Sequence, residues 1–142
     1  MSGGEAVATA PKARIGGIAV AGLTGLLLVV QIVLAARGII DSPGGAAGFG
    51  VPATDASAAF YHAVYRDRNL VIALVGLVLL AGRRWWSLAV LCTVSISLPV
   101  YDIVALAGAG VPVGPVHWAT AVALVGLSAG LWWQARQDRE RS

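Results

Sequence analysis

From residue 15 to residue 36 the chain runs 22 residues with a single strongly polar side chain, Gln31. At 1.5 Å per residue a helix of that length crosses about 30 Å of hydrocarbon, and no other feature so narrows the folds open to the chain. In lipid every backbone N–H and C=O must be bonded within its own segment, so the run predicts a spanning helix. Three further apolar segments follow, at residues 56–81, 85–107 and 116–133. With 58% hydrophobic and only 12% charged residues, the composition departs from that of a water-soluble domain in the same direction. The expected fold class is all-α, an integral membrane four-helix bundle over residues 15–134, with a mobile tail at 1–14 and a charged tail at 135–142. A secretory signal peptide is the competing reading of the first segment, because Lys12, Arg14 and Ala35-Ala36 frame it. Signal cores run about 7–15 residues, however, and this run is longer.

The net charge of +3 does not point to nucleic acid, because the basic residues sit in small groups beside the apolar runs, as orientation determinants do. In a four-span topology Lys12, Arg14, Arg83, Arg84, Arg136, Arg139 and Arg141 share one side, and the opposite loops hold only Arg37. This bias predicts both termini in the cytoplasm, with the lipid bilayer of a bacterial-type plasma membrane as the principal partner. The Trp85-Trp86 and Trp132-Trp133 pairs suit the interfacial level. Residues 37–54 read as a glycine-rich loop, with Thr54 or Asp55 capping the next helix. Cys92, the single cysteine, excludes an intramolecular disulfide and a cysteine metal cluster, and reads as an inert apolar residue. No zinc, phosphate-loop, dinucleotide or nucleophile-elbow motif is present, which removes the easily named enzyme classes.

Against this background residues 61–69, YHAVYRDRN, are anomalous: they set a histidine and three charges at the head of an unbroken apolar run, 70–81. A charge at mid-span costs about 2.5–3.5 kcal/mol on the insertion scale, whereas each Leu, Ile, Val or Phe returns about 0.3–0.6. Arg66, Asp67 and Arg68 therefore cancel most of what the rest of that helix gains, and the helix needs polar neighbours. The topology supplies them at similar depth: Gln31 on the first helix, Asp102 on the third, His117 on the fourth. By helical period His62, Arg66, Asn69, Ala73 and Gly76 form one stripe, Tyr61, Tyr65 and Arg68 an adjoining one, and Asp67 points elsewhere. Ser95, Pro99 and Asp102 share a face, on which Pro99 frees the Ser95 carbonyl and predicts a kink.

These groups point to acid–base chemistry without a cofactor. The expected catalytic set is Asp102 as acid or base, Arg68 as its ion-pair partner or oxyanion stabiliser, and His117 as a second proton-transfer group. Tyr65, Asn69, His62, Arg66, Tyr61, Gln31 and Ser95 are the expected substrate contacts. A purely structural ion pair accounts equally well for Arg68 and Asp102, and Tyr61 and Tyr65 read equally well as interfacial anchors. His62 and His117 with Asp102 would make three metal ligands, but no short ligand spacing supports a metal. Gly17, Ala21 and Gly25, and Gly126 and Gly130 with Ala119 and Ala123, offer small-residue faces for packing within the chain or in a homo-oligomer.

The chain resembles a family of small bacterial four-span membrane proteins known only as a domain of unknown function, and more loosely the DoxX-like group. The resemblance rests on GFGVP at 48–52, RDRN at 66–69, the aspartate of VYDIV at Asp102 and the histidine of VHWATA at His117. That family often has Arg-Asp where this chain has Arg68-Asn69, so an acidic role there is either absent or moved to Asp67. The resemblance implies the fold and the polar positions but no activity. Two functions remain: a membrane isomerase, cyclase or epoxide-opening enzyme acting on a hydrophobic small molecule, or a non-enzymatic subunit or proton or small-molecule carrier.

Overall fold

A computed structural model describes residues 10–140, and among them the chain is helical without strands. Its elements are α1 (Ala10–Ile40), α2 (Ser42–Phe49), α3 (Ala56–Ala81), α4 (Trp85–Ser95), α5 (Ser97–Gly108) and α6 (Pro115–Arg139). Three stretches are long and apolar enough to cross a membrane: Gly16–Ile40, Trp85–Gly108 and Pro115–Arg139. α3 has the length, 26 residues, but Arg66, Asp67 and Arg68 fall near its middle. Large apolar side chains face outward on α1, α4, α5 and α6, as with Ile18, Val94, Val104 and Val122, between 64% and 71% exposed.

The tails are more helical than expected. α1 begins at Ala10, inside the segment read as a tail, and α6 continues to Arg139. The expected mobility of residues 1–9 and the end of the charged tail, residues 141–142, lie outside the described residues.

The segment read as loop, 37–54, also contains a helix. α1 continues to Ile40, and α2 follows although its sequence, SPGGAAGF, is poor in helix formers. Its ends overcome that preference. Asp41 Oδ1 accepts from the Gly44 amide at 3.0 Å, a proline occupies the first turn, and Gly50 closes the helix at φ 100°, a conformation glycine adopts without strain. Asp55 caps α3 by accepting from Ala58 N at 2.8 Å.

The expected third helix is divided at Ile96 into α4 and α5. Pro99 cannot donate to the Ser95 carbonyl, and Ser95 Oγ donates back to Leu91 O while Ser97 Oγ donates to Val94 O, so the interruption has both causes.

α1 packs chiefly on α3, and α4 on α6. Glycines allow close approach in the first, where Gly76 faces Leu28 and Gly25 faces Leu80, and again where α6 reaches α1, with Gly130 on Val20. Leu88, Ala89, Cys92 and Leu131 form the dry α4/α6 contact. Thr93 fastens it: its hydroxyl donates to Ala89 O, so Ser128 Oγ at 2.6 Å and Trp132 Nε1 at 3.0 Å must be the donors to it. Gly126 has nothing within 4 Å of a Cβ placed on it, so it takes no part in packing within the chain.

Candidate functional site

Between the two helix pairs lies a cavity of about 800 Å³, within the range of small-molecule sites. Its lining runs along α1 from Thr24 to Gly38, on to Asp41 at the start of α2, and along α6 from Val116 to Leu131. Polar side chains gather at the α2 end, where Gln31, Arg37, Asp41, Tyr65, Arg66, Asn69, Asp102 and His117 all contribute. Leu88, Leu124, Leu127 and Leu131 form the opposite, apolar end.

The stripe deduced for α3 has the burial its spacing requires: Asn69, Ala73 and Gly76 are buried, His62, Tyr65 and Arg66 half-buried, Asp67 exposed. Tyr65 donates its hydroxyl to Asp102 Oδ2 at 2.9 Å, tying α3 to α5, and Asn69 interacts with the same hydroxyl. Here the structure corrects the sequence reading. Arg68 makes no ion pair with Asp102; its guanidinium lies over the Tyr65 ring, 5.3 Å from the centroid. Tyr65, which shares a helix face with Arg68, holds the carboxylate instead, and Arg68 packs on its ring.

Phe49, at the end of α2, is a site residue that sequence pattern alone does not single out. Its ring packs edge-on against His117 at 4.6 Å, Tyr65 at 5.5 Å and His62 at 6.5 Å, closing the polar end of the cavity. The only sequence cue was one aromatic residue amid glycines in GFGVP. Its carbonyl also meets His117 Nε2 at 3.2 Å. A carbonyl only accepts, so Nε2 carries the proton and the ring is held as a spacer between α6 and α2. That contact, and not Asp102, is the partner of the buried His117.

Arg66 crosses the same layer. Its stem lies on Gly38, where any Cβ would come within 3.0 Å of it, and Nε donates to His62 Nε2 at 3.3 Å. With Nε2 accepting, a neutral His62 carries its proton on Nδ1, which is buried without a partner beside Gly45. The Arg66 guanidinium stands 5.9 Å from the centroids of both Phe49 and Tyr65.

One expected contact, Tyr61, is displaced, and another, Ser95, is partly engaged elsewhere. Tyr61 turns outward, 69% exposed and packed on Phe60, since the helical twist carries it past the neighbouring helices. Ser95 borders the cavity, but its hydroxyl proton is used on Leu91 O. Gln31 borders it from α1, half-buried. Among the described residues no three His, Cys, Asp or Glu side chains stand close enough to hold one metal ion, so His62, His117 and Asp102 do not converge.

A second, more open groove of about 690 Å³ lies outside the first, bordered by His62, Arg68, Tyr101 and Leu106. Phe49, Tyr65, Leu98 and Asp102 line both spaces, so the Tyr65–Asp102 hydrogen bond lies on the partition between them. No family model, no curated protein and no solved structure matches the chain.

Proposed function

We propose that the protein is a four-span membrane enzyme that binds a hydrophobic small molecule between its helices and acts on it by acid–base chemistry without a cofactor. In this reading α3 is the fourth span. Its outward side chains, including Val71, Leu74, Val75 and Val78, are as apolar and exposed as those of its neighbours, and its charges turn toward the cavity layer or the outer water. Both termini then lie in the cytoplasm of a bacterial-type cell, by the seven-to-one bias of basic residues.

The observation that carries the chemistry is the Tyr65–Asp102 hydrogen bond on the wall of an 800 Å³ cavity. Asp102 uses one oxygen on Tyr65, and the other makes no hydrogen bond to the described residues. As a carboxylate, Asp102 takes a proton from the ligand at that free oxygen. Tyr65 gives its proton to the ligand position where negative charge develops. The Asp102 carboxyl, now protonated on that other oxygen, turns about its Cβ–Cγ bond and gives the proton to the phenolate, restoring both groups with no net proton change. This sequence suits an isomerisation or cyclisation; for epoxide opening, Asp102 draws the proton from an attacking water. Arg68 over the Tyr65 ring stabilises the phenolate stage.

The test is incubation of the purified protein, in nanodiscs, with a lipid extract from a strain lacking it. Wild type should form a product without added cofactor and Asp102→Asn should not; a product formed equally by both excludes the mechanism. A carrier is the second reading, favoured by the reach of the cavity from Asp41 near one side to Leu88 and Leu131 near the other. It predicts binding in the same incubation with no product from either protein.

A further inference from the structure

The carboxylates and guanidiniums at the polar end of the cavity are not paired with each other. Asp102 is engaged by Tyr65, and Asp41 is spent on the Gly44 amide at the start of α2. Arg66 uses only Nε, on His62, which leaves its two terminal nitrogens without a hydrogen-bond partner among the described residues. A half-buried guanidinium with an unused planar fork, held on Gly38 and flanked by two aromatic rings, is arranged to receive an oxyanion. Arg37, on the same lining, adds a second positive charge.

The rest of the space fixes what carries that anion. Thr24 to Asp41, just past the end of α1, spans about 25 Å at 1.5 Å per residue, so the 800 Å³ cavity averages about 30 Å² in cross-section. That is long and narrow, and its far end is lined by the buried, apolar Leu88 and Leu131. We propose that the ligand is an amphiphile with an oxyanion head, carboxylate or phosphate, bound at Arg66 with its apolar chain running toward Leu88 and Leu131. This inference rests on the cavity being the binding site, as proposed above, and adds the ligand's chemical class.

The experiment is saturation binding of radiolabelled dodecanoate at pH 8 to the protein in phosphatidylcholine nanodiscs, with empty nanodiscs subtracted. Dodecyl phosphate, dodecanol and inorganic phosphate serve as competitors. Dodecanoate or dodecyl phosphate should bind at least ten-fold more tightly than dodecanol, and inorganic phosphate should not compete. Arg66→Gln should weaken binding of the anionic probes roughly ten- to hundred-fold and leave dodecanol unchanged, the scale of one charge-assisted contact. Arg84→Gln, which removes the same charge from the turn between α3 and α4, should change nothing. Because the head-group comparison uses wild type alone, a poorly folding Arg66 variant does not leave the outcome open. Equal binding of dodecanoate and dodecanol overturns the anion but keeps the cavity; competition by inorganic phosphate overturns the amphiphile. Binding of neither dodecanoate nor dodecanol overturns the cavity as a binding site and this inference with it.

Discussion

Removing the Tyr65 hydroxyl while keeping its ring separates the two interactions that meet at this residue. In Tyr65→Phe the bond to Asp102 Oδ2 is lost, while the aromatic face under Arg68 and beside Phe49 remains. A hydrogen bond to a carboxylate contributes about 1.5–3 kcal/mol, and because Asp102 is half-buried and borders the open groove, water recovers part of it. The expected cost is therefore about 1–2 kcal/mol. Asp102→Leu should cost a similar amount, and the double variant should cost little more than either single one, a coupling of about 1–2 kcal/mol. The parallel cycle of Arg68→Leu with Asp102→Leu should show less than about 0.5 kcal/mol, since Arg68 reaches Asp102 only through the Tyr65 ring and is itself exposed. Denaturant unfolding of all the variants in one detergent, followed by helical circular dichroism, gives both cycles. Additivity of the Tyr65 and Asp102 changes, or a larger coupling for Arg68 than for Tyr65, would refute the geometry.

Glycine substitutions test the close approaches. Gly45→Ala should destabilise by about 1–3 kcal/mol, because its Cβ would sit 2.8 Å from His62 Cε1 and 3.0 Å from the Gly38 backbone. Gly126→Ala, in open space within α6, should instead stabilise by about 0.5–1 kcal/mol; a loss of stability there would mean that a second copy packs on that face. Thr93→Val keeps the shape but strips the shared acceptor from Ser128 and Trp132, and the thermal midpoint should fall by the equivalent of about 1–3 kcal/mol. For topology, a membrane-impermeant thiol reagent applied to cells, in a background with Cys92→Ala, should label Ser42→Cys and miss Ser142→Cys. The reverse pattern contradicts the proposed orientation.

Hydropathy and period alone determined the helical class, the limits of α3 and the stripe from Asn69 to Gly76 that it buries, because these depend on local spacing and on the cost of exposing backbone to lipid. The same local logic located the break near Pro99. Only the tertiary structure decided partners. Arg68 and Asp102 look like a pair in sequence because opposite charges at one depth attract, but in the folded chain the Tyr65 hydroxyl takes the carboxylate and Arg68 lies over the Tyr65 ring. His117 likewise finds the Phe49 carbonyl, a backbone group with no mark in the sequence. α2 was illegible because its glycines argue for a loop, while the forces that hold it, two caps and the packing of Phe49 on three rings from other helices, appear only once those helices are assembled. Residue type announces that a polar group must be satisfied; the packing of distant segments decides by what.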